Sequence, residues 1–230
     1  MIFPTNDIQI FNLPKAGSTS IKVWHAREIK LWCARRNADL TNEKIEDDVH
    51  KIFPNLPFEL AESSFEENNQ ATKVALVRDP LQRLLSVYGN RILYHQDLKR
   101  IEPKKLLSRA RFYLNNPGFK THPSADHFFS NLDFYQNVSP GILYHTRSCK
   151  HFLGSDLGYF DHVFQLEDIS KLEDFLSVRM NKPVKFPREQ TGGPKTKLHE
   201  LQSKTISRIL ERLEEDYIFL QKFYKMPKHP

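Results

Sequence analysis

Leu13-Pro14-Lys15-Ala16-Gly17-Ser18-Thr19-Ser20-Ile21-Lys22 is the stretch on which the reading of this chain turns. It places a proline, a lysine and a glycine in quick succession, then three hydroxyl residues, just after the run Asp7-Ile8-Gln9-Ile10-Phe11-Asn12. The β-branched and aromatic residues of that run suit a buried strand. Gly17 lets the backbone turn tightly and approach a ligand. A helix starting at Ser18 would point its unbonded N–H groups and positive dipole end at the turn, and Lys15 and the hydroxyls add donors. Such a turn is a cradle for an anion. Its lysine precedes the glycine, whereas the nucleotide triphosphatase loop ends in Gly-Lys-Ser/Thr, so a Walker loop is absent.

Farther along, the apolar run Thr72 to Val77 leads into Val77-Arg78-Asp79-Pro80-Leu81-Gln82-Arg83-Leu84-Leu85-Ser86-Val87-Tyr88. Each piece alone has a plainer reading. Ser18 can be a simple helix N-cap, and Asp79-Pro80 an ordinary helix start with a solvated Arg78 before it. Two basic clusters, each directly after an apolar run and before an amphipathic helix, argue for paired anion sites at one sheet edge. The matching ligand carries two separated phosphates.

The remaining pattern predicts helices over Ser18 to Asn37, with Ile21, Trp24, Ile29 and Trp32 as apolar positions, and over Asn42 to Phe53, where Pro54 and Pro57 end the run. Glu59 to Gln70 reads as an acidic exposed segment. Further helices are predicted over Leu81 to His95, Lys104 to Asn115, Ser124 to Tyr135, Ile169 to Met180 and Leu198 to Tyr224, with a third strand near His162 to Leu166. Alternating strands and helices predict an α/β fold, a P-loop-like parallel sheet flanked by helices, with the ligand at the carboxyl ends of the strands. At 230 residues, 39% hydrophobic and with 17 Phe, the chain is expected to form a single domain over 1–230.

The net charge of +6 favours an anionic partner: a nucleotide cofactor, an acidic glycan or nucleic acid. Basic residues interspersed with acidic ones, and no stacking platform, speak against nucleic acid. The ten histidines are scattered without ligand spacing, so no metal is expected. The two cysteines, Cys33 and Cys149, read as reduced thiols of a cytoplasmic protein. No membrane span is expected.

Pro14 to Ser20 resembles the 5′-phosphosulfate loop of the sulfotransferases that use 3′-phosphoadenosine 5′-phosphosulfate, PAPS. Arg78-Asp79-Pro80 through Arg83, Ser86 and Tyr88 resembles that family's 3′-phosphate motif, in the same order and at similar spacing. Ala125-Asp126-His127-Phe128, Phe160 to Asp168, and Gln190 to Lys197 before a helix carrying Glu215 to Leu220 are similar to the carbohydrate branch, which includes the chondroitin and heparan 2-O enzymes. The resemblance spans most of the chain. It implies sulfuryl transfer from PAPS to a hydroxyl, foremost on a saccharide, with 3′,5′-ADP as product. A small alcohol, phenol or lipid headgroup is the alternative acceptor, and a P-loop kinase or nucleotide-binding module the alternative class. Animal enzymes of this kind carry a Golgi anchor; without one the expected location is the cytoplasm, or the Golgi lumen if an anchor was trimmed.

By the same resemblance Lys15, Ala16, Gly17, Ser18, Thr19 and Ser20 hold the 5′ end, and Arg78 with Ser86 holds the 3′ phosphate. Arg83 either joins them or anchors its helix through an ion pair. Lys195 and Lys197 lie in the Gly192-Gly193-Pro194-Lys195-Thr196-Lys197 loop, which is either a cover closing over the nucleotide or a plain connection. Lys15 is the expected catalytic charge and His50 the expected general base, although His50 also reads as a solvated histidine beside Asp47 and Asp48. His25 lies roughly ten ångströms along its helix, far for the acceptor hydroxyl. Glu28, Glu59 and His127 are the other candidates.

Overall fold

The computed structural model describes residues 8–34, 49, 55–63, 70–188 and 192–228. Along the chain come β1 (Ile8–Asn12), α1 (Ser18–Ala34), α2 (Phe58–Ser63), β2 (Thr72–Val77) and α3 (Pro80–Val87), the last running into a π-helix at Tyr88–Tyr94. There follow α4 (Asp97–Ile101), α5 (Leu106–Asn115), α6 (Ala125–Ser130), α7 (Leu132–Val138), α8 (Pro140–Thr146), α9 (Cys149–Leu153), β3 (His162–Gln165), α10 (Ile169–Met180) and α11 (Ser203–Phe219). Two compact units divide the chain: Met1–Arg78 with Cys149–Thr191, and Asp79–Ser148 with Gly192–Pro230.

The first unit holds the sheet, in the order β1-β2-β3 with both pairings parallel. Ile10 lies opposite Val74, and Val74 opposite His162. A parallel sheet needs cover on both faces, and every residue of β1 is buried. On one face Ile8, Ile10, Val74 and Leu76 pack against Ile21 and Trp24 of α1 and Leu172 and Leu176 of α10. Each such aliphatic side chain contributes roughly 1.5–3 kcal/mol when fully buried. Strand alternation turns Phe11 to the opposite face, where its ring meets those of Phe58, Tyr159 and Phe160. Asp161 ties β3 to the start of β2, accepting from the Lys73 N–H at 2.7 Å while its own N–H donates to the Lys73 carbonyl at 2.9 Å. The α/β expectation of a parallel sheet flanked by helices therefore holds.

The second unit is helical. Ile206, Ile209, Leu210, Leu213 and Tyr217 form the apolar stripe of α11 and join a core with Leu81, Leu84, Leu85, Phe128, Phe129 and Tyr135. Three expected helices are revised here. The one expected over Leu81 to His95 is α-helical only to Val87 and continues as the π-helix. There the Gly89 backbone lies directly against the Pro194 carbonyl, with no room for a Cβ. The one expected over Ser124 to Tyr135 is two, broken at Asn131 (φ −121°, ψ 31°), whose side-chain amide donates to the His127 carbonyl at 2.8 Å. The last begins as a single 3₁₀ turn, Leu198–Glu200, before α11. The acidic segment Glu59 to Gln70 is not wholly surface: α2 runs through its first part and buries Ala61. The helix expected over Asn42 to Phe53 lies outside the described residues apart from Val49, which packs on Val23 and Ala26.

Candidate active site

The turn after β1 is built from a conflict between residue and backbone. The Ala16 N–H donates to the Leu13 carbonyl at 3.1 Å, closing a four-residue turn with Pro14 second and Lys15 third. Lys15 has φ +67°, the conformation that a type II turn ordinarily assigns to glycine. A residue with a Cβ gives up roughly 1–2 kcal/mol to sit there. What holds it is Arg78, whose Nη1 donates to the Lys15 carbonyl at 2.6 Å. The sheet register explains the reach: Asn12 pairs with Leu76, so the residues two beyond this pair, Pro14 and Arg78, come level. Gly17 is the second left-handed residue, at φ +72°, and a Cβ there would lie 2.8 Å from Leu166 Cδ1.

Immediately after it α1 begins, and its Ile21 N–H takes the Gly17 carbonyl at 3.3 Å. The first N–H groups of an α-helix point out of its N-terminal end. No acidic residue stands in the first turn of α1. Lys15, the hydroxyl residues Ser18, Thr19 and Ser20, the helix end and Arg78 thus bring cations and donors to the turn, the chemistry that a sulfate or phosphate requires. A family model described as the sulfotransferase family matches residues 1–226. The chain belongs to the sulfotransferase family. No curated protein and no solved structure matches it.

A sulfotransferase is an enzyme, and its matched region takes in both basic motifs. The second motif of this sulfotransferase divides in its duties. Asp79 caps α3, accepting from the Gln82 N–H at 2.8 Å, and Pro80 takes the first helical turn, where its missing N–H costs nothing. The Tyr217 hydroxyl donates to the other Asp79 oxygen at 3.1 Å, and burial, with Asp79 beside it, raises the phenol's pKa. Arg83 is buried: it donates to the Arg147 carbonyl at 2.7 Å and pairs with Asp216 at 3.2 Å. Of its two sequence readings, the helix anchor is the one the structure supports. Ser86 donates its hydroxyl to the Arg83 carbonyl at 2.7 Å.

The glycine loop of this sulfotransferase is docked on the π-helix. Gly193, at φ +101°, has its Cα against the Gly89 carbonyl; Gly192 lies against the Tyr94 ring, and Asn90 Nδ2 donates to the Gly192 carbonyl at 3.4 Å. Lys195 and Lys197 are exposed, and the Lys197 N–H donates to Glu200 at 3.2 Å.

Among the base candidates, His50 lies outside the described residues. His25 is buried, and burial pushes its pKa down to about 4, which leaves a neutral and weak base. Glu28 is ion-paired with Lys182, and Glu59 is exposed on α2. His127 Nε2 lies 3.2 Å from the Gly118 carbonyl, a pairing that puts the proton on Nε2 and leaves Nδ1 as the basic nitrogen. Sequence reasoning passed over Lys22, one turn beyond Ser18 and only 2% exposed, whose pKa burial lowers to about 8. Its spacing from Ser18 was visible; its burial was not. Among the described residues no group of three or more His, Cys, Asp or Glu is placed to hold a metal ion, and no helix is long and apolar enough to cross a membrane.

Proposed function

We propose that this sulfotransferase uses PAPS as donor and a saccharide hydroxyl as acceptor, with Lys15 to Ser20 at the 5′-phosphosulfate and Arg78 at the 3′ phosphate. The observation that carries the reading is the 2.6 Å bond from Arg78 to the Lys15 carbonyl, because it makes neighbours of two motifs more than sixty residues apart. Both phosphorylated positions of the donor sit on one ribose, so its two anion sites have to adjoin. The cations and donors of the turn fit such a group.

When bound, PAPS supplies an activated sulfuryl group whose leaving partner is 3′,5′-ADP. The protein's own part is positional and electrostatic. The donors at the start of α1 hold terminal oxygens, while the Lys15 ammonium, on a backbone that Arg78 fixes, is the charge assigned to the departing phosphate oxygen. Ser86, Lys195 and Lys197 take their assignment to the cofactor from the family resemblance. His50 is the proposed acceptor of the hydroxyl proton, and the saccharide preference follows the similarity of Phe160 to Asp168 to the carbohydrate branch.

A thermal-shift titration tests the donor. 3′,5′-ADP without magnesium should stabilise the protein, by about 2.7 kcal/mol at a hundredfold excess over Kd. ATP with magnesium should not; the reverse result would make the protein a kinase-like nucleotide binder. Labelled PAPS offered to polysaccharides, oligosaccharides and small alcohols tests the acceptor, and label appearing only on small alcohols removes the saccharide assignment.

A further inference from the structure

Helix α5 buries none of its residues, although it is rich in leucine. Leu106, Leu107 and Leu114 are 80%, 86% and 81% exposed, and Phe112 and Tyr113 alone lean on the core. Helical spacing puts Leu107, Ala110 and Leu114 in one outward stripe, with Leu106 next to Ala110. Around them the segment from Lys99 to Asn115 carries Lys99, Arg100, Lys104, Lys105, Arg109 and Arg111 against one acid, Glu102. Six cations less one carboxylate give +5, set against +6 for the whole chain. Glu102 is itself occupied by Arg109 at 2.7 Å and by the Tyr113 hydroxyl at 2.6 Å.

We propose that α5 and the basic segment before it form a docking surface for an anionic lipid bilayer, the leucines entering the boundary of the acyl region and the cations meeting the headgroups. Two features of one segment select this occupant. A purely ionic partner, such as an acidic glycan or nucleic acid, leaves the leucine stripe in water. A second copy of the chain brings an identical +5 face against this one in a two-fold contact, which repels. A bilayer with anionic headgroups satisfies both, and its negative surface potential draws in clustered Lys and Arg. The outward side of a short helix suffices, since this mode lies along the surface and needs no spanning segment.

Co-sedimentation of the full chain with phosphatidylcholine vesicles, and with vesicles that also contain phosphatidylserine, is the test. The protein should pellet with the phosphatidylserine vesicles and not with phosphatidylcholine alone. The double variant Leu107→Ser/Leu114→Ser should cut the partition by about tenfold, with an unchanged circular dichroism spectrum, because neither side chain packs in the core. Lys104→Glu/Lys105→Glu should cut it further at low salt than at high salt. No pelleting with phosphatidylserine vesicles overturns the proposal. So does equal binding by the leucine variant, which makes the contact merely ionic. A parent protein that is dimeric by light scattering and becomes monomeric in the leucine variant also overturns it, in favour of a contact between copies.

Discussion

The turns that follow β1 and β2 occupy equivalent places in the sheet and are made on opposite principles. After β1 the chain puts a lysine where the backbone calls for glycine, and a neighbouring strand's arginine steadies the result. After β2 the chain follows every local preference: Asp79 caps, Pro80 opens the helix, and the cap is bonded twice. Strain concentrates where the chemistry is expected, and the relaxed neighbour supplies the support. A residue such as Arg78 is then part of the first turn's structure as much as of the second motif.

Substitutions can break this contrast at several depths. The largest effect is expected behind the relaxed turn. Asp216→Ala removes the partner of the buried Arg83 and should cost about 3–5 kcal/mol in urea unfolding. A loss below about 1 kcal/mol would show that the carbonyls of His145 and Arg147 suffice to anchor the guanidinium. At the strained turn, Lys15→Ala should lower kcat by about a hundred- to a thousandfold, the range for losing one preorganised charge-stabilising group. Lys15→Gly should be as inactive yet about 1 kcal/mol more stable than Lys15→Ala, because glycine accepts the left-handed backbone. Equal stabilities for the pair would deny the strain.

The helix behind that turn gives a pH signature. His25 has its pKa pushed down to about 4, against about 6.5 when unfolded, so the unfolded chain binds the extra proton between these values. Stability should therefore fall as pH drops from about 6.5 to 4, by up to about 3 kcal/mol, and His25→Gln should flatten that part of the profile. An unchanged slope in the variant assigns the acid sensitivity elsewhere. Arg78→Ala should weaken 3′,5′-ADP binding by about 1.5–3 kcal/mol in calorimetry, with Arg78→Lys a poor rescue, since one ammonium cannot replace a fork that already spends one arm on Lys15. The smallest effect belongs to Asp79→Ala, about 1 kcal/mol for a lost cap, with nucleotide affinity little changed.

How far the sequence carried the reading depends on how far each determinant lies along the chain. Thr72–Val77 and Ile169–Met180 have the very bounds expected, because an apolar run and a helical stripe are local signals. The π-helix at Tyr88–Tyr94 was hidden, since the helical period of its residues does not mark it and the Pro194 carbonyl packed on its Gly89 lies more than a hundred residues later. Arg83 stayed undecided for the same reason: its partner Asp216 lies 133 positions on. Both basic motifs were legible as composition. That Lys15 itself bends left-handed was not, because nothing in lysine asks for that conformation. The short helices α8 and α9 escaped notice, each being too brief to establish a period.

The facing glycines of the π-helix and the last loop have a consequence for how this protein can vary. Gly89 and Gly193 meet backbone to backbone, so restoring one after the other is lost recovers nothing, and no larger residue at either position can be matched by a smaller one opposite. A library randomised at both codons should return glycine twice or a chain whose final loop has parted from its perch.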